Sequence, residues 1–441
     1  MSAPLHVVQW AMLTPEERDA LLRRPALGKA ADLLRRATEI VAEVRQRGDA
    51  ALQAYTLQLD HVRLESFRVA DEEFAAAERS LGDEERTALQ RAIGTVTKFH
   101  EAQVTAPLRI ETSPGVLCER LTVPLGAVGL YVPAGTAPLP STAIMLAIPA
   151  RLAGCPVRVI CTPPRRDGSA DPAVLVAARL CGVTDVFKLG GAQAIAAMAY
   201  GTQTVPRVDK IFGPGNAWVT AAKQIVAADA DGAALDMPAG PSEVLVIADD
   251  TARPDFVAAD LLAQAEHSED AQVVFLTTAE RLANEVIAEV GTQMARLPRR
   301  AITERSIANS RVILVDDLET AFEVSNRYAP EHLILQIESP RDWLPQVRNA
   351  GSVFLGPWTP ETMGDYCSGT NHVLPTYGHA RAYSGLGVPD FVKRMTVQEV
   401  SPAGIADLGL TARTLARLES LDGHANAVTV RLNALGAGAD Q

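Results

Sequence analysis

The sequence predicts an α/β protein built on parallel sheets. Short, largely apolar segments such as Val157 to Cys161 and Glu243 to Ala248 alternate with helical segments through the middle of the chain. Strands of this kind are typical of parallel sheets that helices cover on both faces. With 441 residues, 47% of them hydrophobic, the chain is long enough for two or more domains with separate cores.

Local signals place the individual elements. Near the N-terminus, Thr14 to Glu17 form a capping-box pattern with proline at the first helical position, and apolar residues from Leu33 to Val44 recur at helical spacing until Gly48. Ser113 to Gly115 predict a hairpin turn. Strands are predicted at Val128 to Val132, Val157 to Cys161, Val183 to Leu189, Lys210 to Phe212, Glu243 to Ala248, Val273 to Thr277, Val312 to Val315 and Thr396 to Val400. Helices are predicted to begin at Ser141, Pro172 and Ala192.

The composition is ordinary for an enzyme and argues against several other classes of protein. The net charge is -12 and charged residues are interspersed, which argues against nucleic acid and anionic membranes as partners. Residues Met1 to Trp10 lack the basic cluster and apolar core of a signal peptide, and prolines interrupt the apolar stretch from Ala143 to Ala150. The five cysteines show no paired metal-binding spacing, which predicts free thiols in a reducing cytoplasm.

One polar segment, Glu361 to His372, is dense in acid, hydroxyl, amide and imidazole groups. Its glycines and polar side chains predict an irregular loop rather than a buried helix or strand. Buried polar groups require partners, so a loop that carries so many is expected to face a ligand or a metal ion. A well-hydrated connection is the alternative.

Two glycine turns lie where predicted strands give way to helices. Gly190 to Gln193 and Gly213 to Asn216 would allow a ligand to approach backbone N–H groups at a helix N-terminus. The side chains of Gln193 and Asn216 could bind ribose or amide groups, or could cap the helices. No Gly-x-Gly-x-x-Gly pattern follows a predicted strand, so the usual dinucleotide fingerprint is missing.

Candidate metal ligands are scattered along the chain. Gln264 and His267 are three residues apart in a predicted helix, so both could reach one ion, although such pairs are often surface hydrogen bonds. The other candidates are Asp365, His372, His379 and His424. Oxygen and imidazole ligands without thiolates suit zinc or manganese in a catalytic or substrate-holding site.

A candidate acid/base pair, Glu331 and His332, lies between a helix ended by Pro330 and an apolar strand. Strand ends are where substrates bind in open α/β sheets. Histidine is the natural base near neutral pH, and a carboxylate can activate water or orient the imidazole. A solvated strand end is the alternative interpretation.

Taken together, these segments resemble the histidinol dehydrogenase family over about Ala31 to Leu432. The resemblance is carried by Gly129-Leu-Tyr131-Val-Pro133, Gly190 to Ala196, Val208 to Asn216, Ala239 to Val244, Ala263 to His267, Asn326 to Leu333, and Gly351 to Asp365 continuing to Gly378. The motifs cover nearly the whole chain, and their combination is highly specific.

The resemblance implies a role for each matching residue. By similarity, zinc, or manganese in its place, is held by Gln264, His267, Asp365 and His424. Glu331 and His332 match the family's acid/base pair. The positions that match contacts to the substrate L-histidinol are Ser242, Gln264, His267, His332, Asp365, Glu419 and His424. Those that match contacts to NAD are Tyr131, Gln193 and Asn216. His372 matches the family loop but is interpreted as a supporting residue rather than a ligand.

The resemblance also implies an architecture of two similar, incomplete Rossmann-like (doubly wound) domains. The first is expected to comprise residues 31–134 and 242–385 and to carry the metal and catalytic site. The second is expected to be inserted at 135–241 and to contribute NAD binding. Residues 1–30 are expected to form a helical segment, and residues 386–441 an arm that is exchanged in a homodimer. Glu419 and His424 would then serve the neighbouring subunit's site.

The implied reaction is two successive hydride transfers from one carbon of L-histidinol to NAD, through a bound aldehyde, in the final steps of histidine biosynthesis. His332 would remove the alcohol proton, and Glu331 would activate the water that adds to the aldehyde. The metal would hold the substrate between the two oxidations.

Two residues depart from the family pattern, and two other functions stay open. Ala134 stands where a second glycine is common, and Cys367 often corresponds to alanine. A related dehydrogenase of a sulfonated diol is one alternative, but Glu419 favours histidinol because a carboxylate would repel a sulfonate. A zinc hydrolase is the other alternative, in which the residues matched to NAD would have no purpose.

Overall fold

The computed structural model describes residues 5–24, 30–134, 137–238 and 240–437. Its strands are β1 (Val7–Gln9), β2 (Leu108–Ser113), β3 (Val116–Pro124), β4 (Ala127–Tyr131), β5 (Val157–Thr162), β6 (Asp185–Lys188), β7 (Lys210–Phe212), β8 (Ala234–Leu235), β9 (Glu243–Ala248), β10 (Gln272–Thr277), β11 (Arg311–Leu314), β12 (His332–Gln336), β13 (Ser352–Leu355) and β14 (Val392–Val400). They form three sheets.

The helices complete the α/β architecture. They are α1 (Pro15–Leu21), α2 (Ala30–Arg47), α3 (Asp49–Tyr55), α4 (Asp71–Ser80), α5 (Asp83–Glu101), α6 (Pro140–Leu152), α7 (Pro172–Leu180), α8 (Gly191–Tyr200), α9 (Ala217–Ala228), α10 (Pro254–Ala265), α11 (Glu280–Met294), α12 (Arg300–Ala308), α13 (Leu318–Tyr328), α14 (Glu361–Tyr366), α15 (Pro402–Leu418) and α16 (Asp422–Ala437). Among the described residues, no helix is long and apolar enough to cross a membrane.

Two compact units divide the chain, and the first contains both parallel sheets. It comprises residues 1–103 and 126–390. One of its sheets has six strands in the order β1-β11-β10-β9-β12-β13, and every pair is parallel. Strands β9, β10 and β12 are buried along their whole length. The predicted parallel α/β fold is therefore confirmed.

The other parallel sheet has five strands in the order β6-β5-β4-β7-β8. From β4 the chain winds first to β5 and β6 on one side, and then crosses to β7 on the other side. The strand order therefore reverses between β4 and β7. Helices α2, α8 and α9 pack against one another in the core beside this sheet.

The second unit comprises residues 104–125 and 391–441. The strands β14, β3 and β2 form an antiparallel sheet, and α15 packs against α16. Many of its large apolar side chains are exposed; they include Leu108, Ile110, Leu121, Met395, Leu408, Leu410, Leu415 and Leu418. Its own core is therefore small.

Most local predictions are confirmed. Thr14 caps α1 with a complete capping box, Gly48 follows α2 with a φ of 54°, and the hairpin turn joins β2 to β3. One expectation is incomplete and one is wrong. The N-terminal segment contains the strand β1, which joins the six-stranded sheet, although residues 1–4 and 25–29 lie outside the described residues. The polar segment begins as the short helix α14, and its Glu361 is buried.

A buried ion pair fixes the glycine turn after β7. Lys223 Nζ contacts the carboxylate of Asp236 and donates to the carbonyl oxygen of Gly213 at 3.0 Å, and Gly213 N–H donates to Asp236 Oδ2 at 2.8 Å. The side chains of the pair are 6% and 1% exposed. The turn requires glycine, since a Cβ on Gly213 would lie 2.2 Å from the carbonyl oxygen of Tyr131.

We predict that Lys223→Met lowers the free energy of unfolding by about 3 to 5 kcal/mol, because it leaves the Asp236 carboxylate buried without its partner. Denaturant unfolding measures the loss. Arg300→Met is the control, because it breaks an exposed pair with Glu304 that is worth at most about 1 kcal/mol. Equal losses in both variants would contradict the prediction.

Candidate active site

Glu331 and His332 lie where a helix turns into the six-stranded sheet. Helix α13 ends at Tyr328, Ala329 follows with a left-handed φ of 55°, and β12 begins at His332. Both side chains are buried, so the solvated strand end is excluded. The pair lies at the amino end of its strand. Ligands of open α/β sheets usually bind beyond the carboxyl ends of the strands. The expectation that the pair lies at such an end is therefore wrong.

The backbone of Glu243, at the start of the neighbouring strand β9, holds both side chains of the pair. Its N–H donates to Glu331 Oε2 at 2.9 Å, and its carbonyl oxygen is 3.1 Å from His332 Nδ1. A carbonyl can only accept, which assigns the proton to Nδ1. His332 Nε2 is buried and has no hydrogen-bond partner. The atom left for chemistry is therefore Nε2.

A group of potential metal ligands lies beside that nitrogen. The ligand atoms of His267, Glu361 and Asp365 all lie within 4.8 Å of one another. Asp365 Oδ1 is 3.5 Å from His332 Nε2. Glu361 is buried, Asp365 is partly buried and His267 is exposed, so the group extends from the interior to the surface. The structure thus brings together His267, His332 and Asp365, which the sequence predicted as site residues, and adds Glu361.

Burial and mutual repulsion shift the pKa values of these groups. Burial raises the pKa of Glu331 to about 8 and raises the pKa of Glu361 well above its usual range. Burial lowers the pKa of His332, but the surrounding carboxylates raise it by more. The pKa of His332 therefore lies well above its usual value. Burial also raises the pKa of Asp365, but the neighbouring imidazoles lower it more. A divalent cation would offset this concentration of carboxyl groups.

The amide of Gln264 lies next to the same carboxyl groups. In one orientation its nitrogen donates to Glu361 Oε2 at 2.9 Å, and its oxygen accepts from Glu243 N–H at 3.3 Å. In the other orientation the amide oxygen faces the Glu361 oxygens, an arrangement that a cation between them or a proton on Glu361 would satisfy. The donor set of amide, imidazole and carboxylate fits zinc or manganese.

The local structure around His267 differs from the prediction. Helix α10 ends at Ala265, so His267 lies beyond the helix rather than on its face. Its N–H still donates to the carbonyl oxygen of Gln264 at 3.2 Å. This turn keeps the two residues close, and both remain next to Asp365 or Glu361 as the metal-site prediction requires.

The other titratable candidates have different environments. His372 Nδ1 is 2.8 Å from the carbonyl oxygen of Asp365, and its Nε2 is 3.1 Å from Thr142 Oγ1. These contacts fit a residue that supports the Asp365 backbone. His379 packs edge-on against Tyr383, and Cys367 Sγ contacts the Met363 sulfur at 3.9 Å.

The three residues that match NAD contacts lie at the carboxyl edge of the five-stranded sheet. Tyr131 ends β4, and its hydroxyl accepts from Gly191 N–H at 3.0 Å. Gln193 is buried in α8, and its Oε1 has no partner. Asn216 caps α9 by accepting from two backbone N–H groups, as its cap interpretation predicted. The unpaired Gln193 oxygen and the glycine turns fit a bound nucleotide, because the oxygen can accept a hydrogen bond and the glycines allow a ligand to approach the backbone closely.

The remaining candidates lie in different places. Ser242 directly precedes Glu243 and is partly buried. Glu419 and His424 belong to the second unit, where both are exposed.

Sequence reasoning missed three buried residues of the site. Glu361 was read only as part of a polar segment, and neither Glu243 nor Arg24 was assigned a role. A charged residue opening an otherwise apolar strand, as Glu243 does, is the signal that could have found one of them. No signal distinguishes Arg24 from the other arginines near the N-terminus.

Comparison with known proteins gives one family. The family model described as histidinol dehydrogenase matches residues 23–432. The chain is 56% identical to a histidinol dehydrogenase of Xanthomonas campestris pv. campestris over 428 residues, which cover 97% of this chain and 99% of that protein. It is 51% identical to a histidinol dehydrogenase of Vibrio parahaemolyticus over 431 residues, which cover 98% and 99%.

A solved structure agrees with these matches. The crystal structure of histidinol dehydrogenase from Elizabethkingia anophelis superimposes with a TM-score of 0.94 at 45% sequence identity. The superposition covers 98% of this chain and 99% of that one.

Proposed function

Because the chain belongs to the histidinol dehydrogenase family, we propose that it oxidises L-histidinol to L-histidine with NAD at the site around His332. The observation that carries this proposal is the buried Glu331 and His332 pair, whose unpartnered Nε2 lies beside a group of potential metal ligands. Such a site combines proton transfer with a place to hold a nitrogen-rich substrate.

The proposed metal is zinc, with manganese as a substitute, and its proposed ligands are Gln264, His267, Asp365 and His424. When bound, the metal would take the imidazole and amino nitrogens of the substrate and so orient it. The surplus of carboxyl groups supports this assignment. Glu361 is placed to orient the Gln264 amide, with which it is in contact.

The proposed division of proton transfers follows from the contacts of the pair. His332 donates through Nδ1 to a backbone carbonyl, so its Nε2 can take the alcohol proton of the substrate when a bound cation offsets the carboxylates that raise its pKa. Glu331 accepts a backbone N–H through Oε2, and its carboxyl group would take a proton from the water that adds to the aldehyde. Both groups are buried, so the aldehyde would react away from bulk water.

NAD is proposed to bind at the carboxyl edge of the five-stranded sheet, with Tyr131, Gln193 and Asn216. Each NAD that binds would accept one hydride, so the two oxidations would use two NAD molecules in succession. The reversal of strand order between β4 and β7 supports this placement, because dinucleotides bind at such points. The unpaired Gln193 oxygen offers an acceptor to a ribose hydroxyl or an amide.

We also propose that the two parallel sheets mark the two Rossmann-like domains, the one carrying residues 135–241 being inserted in the other. The C-terminal segment is proposed to be an arm exchanged in a homodimer, in which the partner chain receives Glu419 and His424. The exposed apolar side chains of the second unit support this proposal, because the surface of another subunit would cover them. The cytoplasmic location stays a prediction, as does the absence of nucleic acid and membrane partners.

The alternatives are less well supported. A sulfonated substrate would face the Asp365 carboxylate, whose pKa the neighbouring imidazoles lower, and its negative charge would repel the sulfonate. A zinc hydrolase would not need the unpaired Gln193 oxygen or the glycine turns near it.

The first prediction concerns the overall reaction. Purified protein should form two NADH for each L-histidinol consumed and should not oxidise a sulfonated diol. Removal of the metal by a chelator should abolish turnover, and zinc or manganese should restore it, because the substrate would lose its anchor. Absorbance of reduced nicotinamide measures both. Full activity of metal-stripped protein would contradict the metal site.

The second prediction separates the two oxidations. Glu331→Gln should slow aldehyde oxidation by roughly 10²- to 10⁴-fold and alcohol oxidation much less, because only the aldehyde step needs activated water. His332→Asn should slow both steps. Single-turnover assays that start from histidinol or from the aldehyde measure them. Equal losses at both steps in Glu331→Gln would refute this division of roles.

The third prediction concerns the dimer. His424→Ala and His332→Asn proteins should each be inactive, and dissociating and reassociating a mixture should return activity. With exchanged arms, a mixed dimer has one site with both defects and one site with neither, so up to half of the sites in mixed dimers recover. If subunit exchange is verified and no activity returns, each site is contained in one chain.

A further inference from the structure

The acid/base pair is held by the backbone of a single residue, Glu243, so anything that fixes that backbone also fixes the pair. The Glu243 N–H binds the Glu331 carboxylate at 2.9 Å, and its carbonyl oxygen accepts from His332 Nδ1 at 3.1 Å. Strands β9 and β12 pair directly, with His332 opposite Val244. The position of Glu331 and the tautomer of His332 therefore depend on the orientation of the peptide groups at Glu243.

The side chain of Glu243 is fixed in turn by Arg24, a residue more than two hundred positions earlier in the chain. Arg24 binds it as a fork, with Nε 2.5 Å from Oε1 and Nη2 2.8 Å from Oε2. The Tyr377 N–H donates to Oε1 at 2.7 Å. The Arg24 and Glu243 side chains are 11% and 2% exposed, so solvent screens this ion pair little.

Arg24 also holds the segment that leads into the pair. Its Nη2 donates to the carbonyl oxygen of Tyr328 at 2.8 Å, and its guanidinium lies over the Tyr328 ring, 4.0 Å from the centroid. The next residue, Ala329, has a left-handed φ of 55°, a conformation that is strained for a residue other than glycine and that the surrounding contacts must hold. One guanidinium thus joins the start of β9 to the turn before Glu331.

We propose that the buried Arg24 and Glu243 pair is the positioning device of this active site: it orients the backbone groups that aim the Glu331 carboxylate and fix the proton on His332 Nδ1. The proposal rests on the proposed function, because it takes Glu331 and His332 as the acid/base pair. Neither Arg24 nor Glu243 needs to touch the substrate. Their effect is on the rate of the proton transfers rather than on binding.

Position 24 requires a planar group that can bind both oxygens of the Glu243 carboxylate. A lysine at position 24 could keep the charge opposite Glu243 but could not bind both carboxylate oxygens and the Tyr328 carbonyl at once. Residues that orient catalytic groups in this way typically affect activity by 10- to 100-fold. A residue that only stabilised the fold would change the amount of folded protein and leave the rate of each folded molecule unchanged.

The test compares Arg24→Met, Arg24→Lys and Glu243→Gln with the wild type. Arg281→Met is the matched control, because Arg281 forms an exposed pair with Glu285. For the folded fraction of each variant, kcat and the KM values for L-histidinol and NAD are measured, together with metal content. His332→Asn is assayed in parallel.

We expect kcat to fall about 100-fold in Arg24→Met and about tenfold in Arg24→Lys and Glu243→Gln. The KM values and metal content should change less than about threefold, and Arg281→Met should match the wild type. Where Arg24→Met does not fold, Arg24→Lys decides. Wild-type kcat in folded Arg24→Lys and Glu243→Gln, or a loss confined to KM or to metal content, overturns the positioning role.

Different results would contradict the proposed function and the positioning role of Arg24 and Glu243. If His332→Asn keeps the wild-type rate, or the wild type does not oxidise L-histidinol, the proposed function is wrong. If His332→Asn is inactive and the Arg24 variants keep their kcat, the proposed function stands and the positioning role alone is wrong.

Discussion

The structure of this site depends on how its buried carboxyl groups are neutralised. Glu243, Glu331 and Glu361 are all nearly inaccessible, and Asp365 is close to them. An ionised carboxylate in a protein interior is strongly disfavoured unless it is paired or hydrogen-bonded. Each carboxyl group has a different partner. Arg24 forms an ion pair with Glu243. Glu331 accepts a hydrogen bond from a backbone N–H and lies beside the His332 imidazole. Glu361 lies where the Gln264 amide or a cation can contact it.

These solutions have different chemical consequences. Glu243 has a permanent cationic partner in Arg24, and it is therefore a structural group. Glu331 has only weaker partners, so burial raises its pKa to about 8, and it can exchange a proton near neutral pH. The same interior thus contains one carboxyl group that is paired with a guanidinium and one that is free to change its protonation.

The sequence predicts the fold more completely than it predicts the site. Apolar strands such as β9 and β10 and the capping box at Thr14 are local patterns, so they are visible without tertiary contacts. The strand β1 escaped prediction because three residues give too short a pattern, and it is defined only by pairing with β11.

The same reasoning applies to the site residues. Glu331, His332 and Asp365 belong to motifs that resemble a known family, and the structure brings them together in one unit. Glu361 could not be assigned, because its role depends on the Gln264 amide almost one hundred positions away. The contribution of Arg24 depends on contacts with Glu243 and Tyr328, and nothing near Arg24 in the sequence indicates either contact.

The unusual placement of the pair at the amino ends of strands has a physical reason. A backbone N–H near the start of a strand favours a negative charge when it donates to a carboxylate. Glu331 accepts such an N–H from Glu243, the first residue of β9. The buried Glu331 carboxyl group, which must be able to lose a proton, is therefore held at the amino end of its strand by an N–H of β9, and Arg24 fixes the residue that donates it.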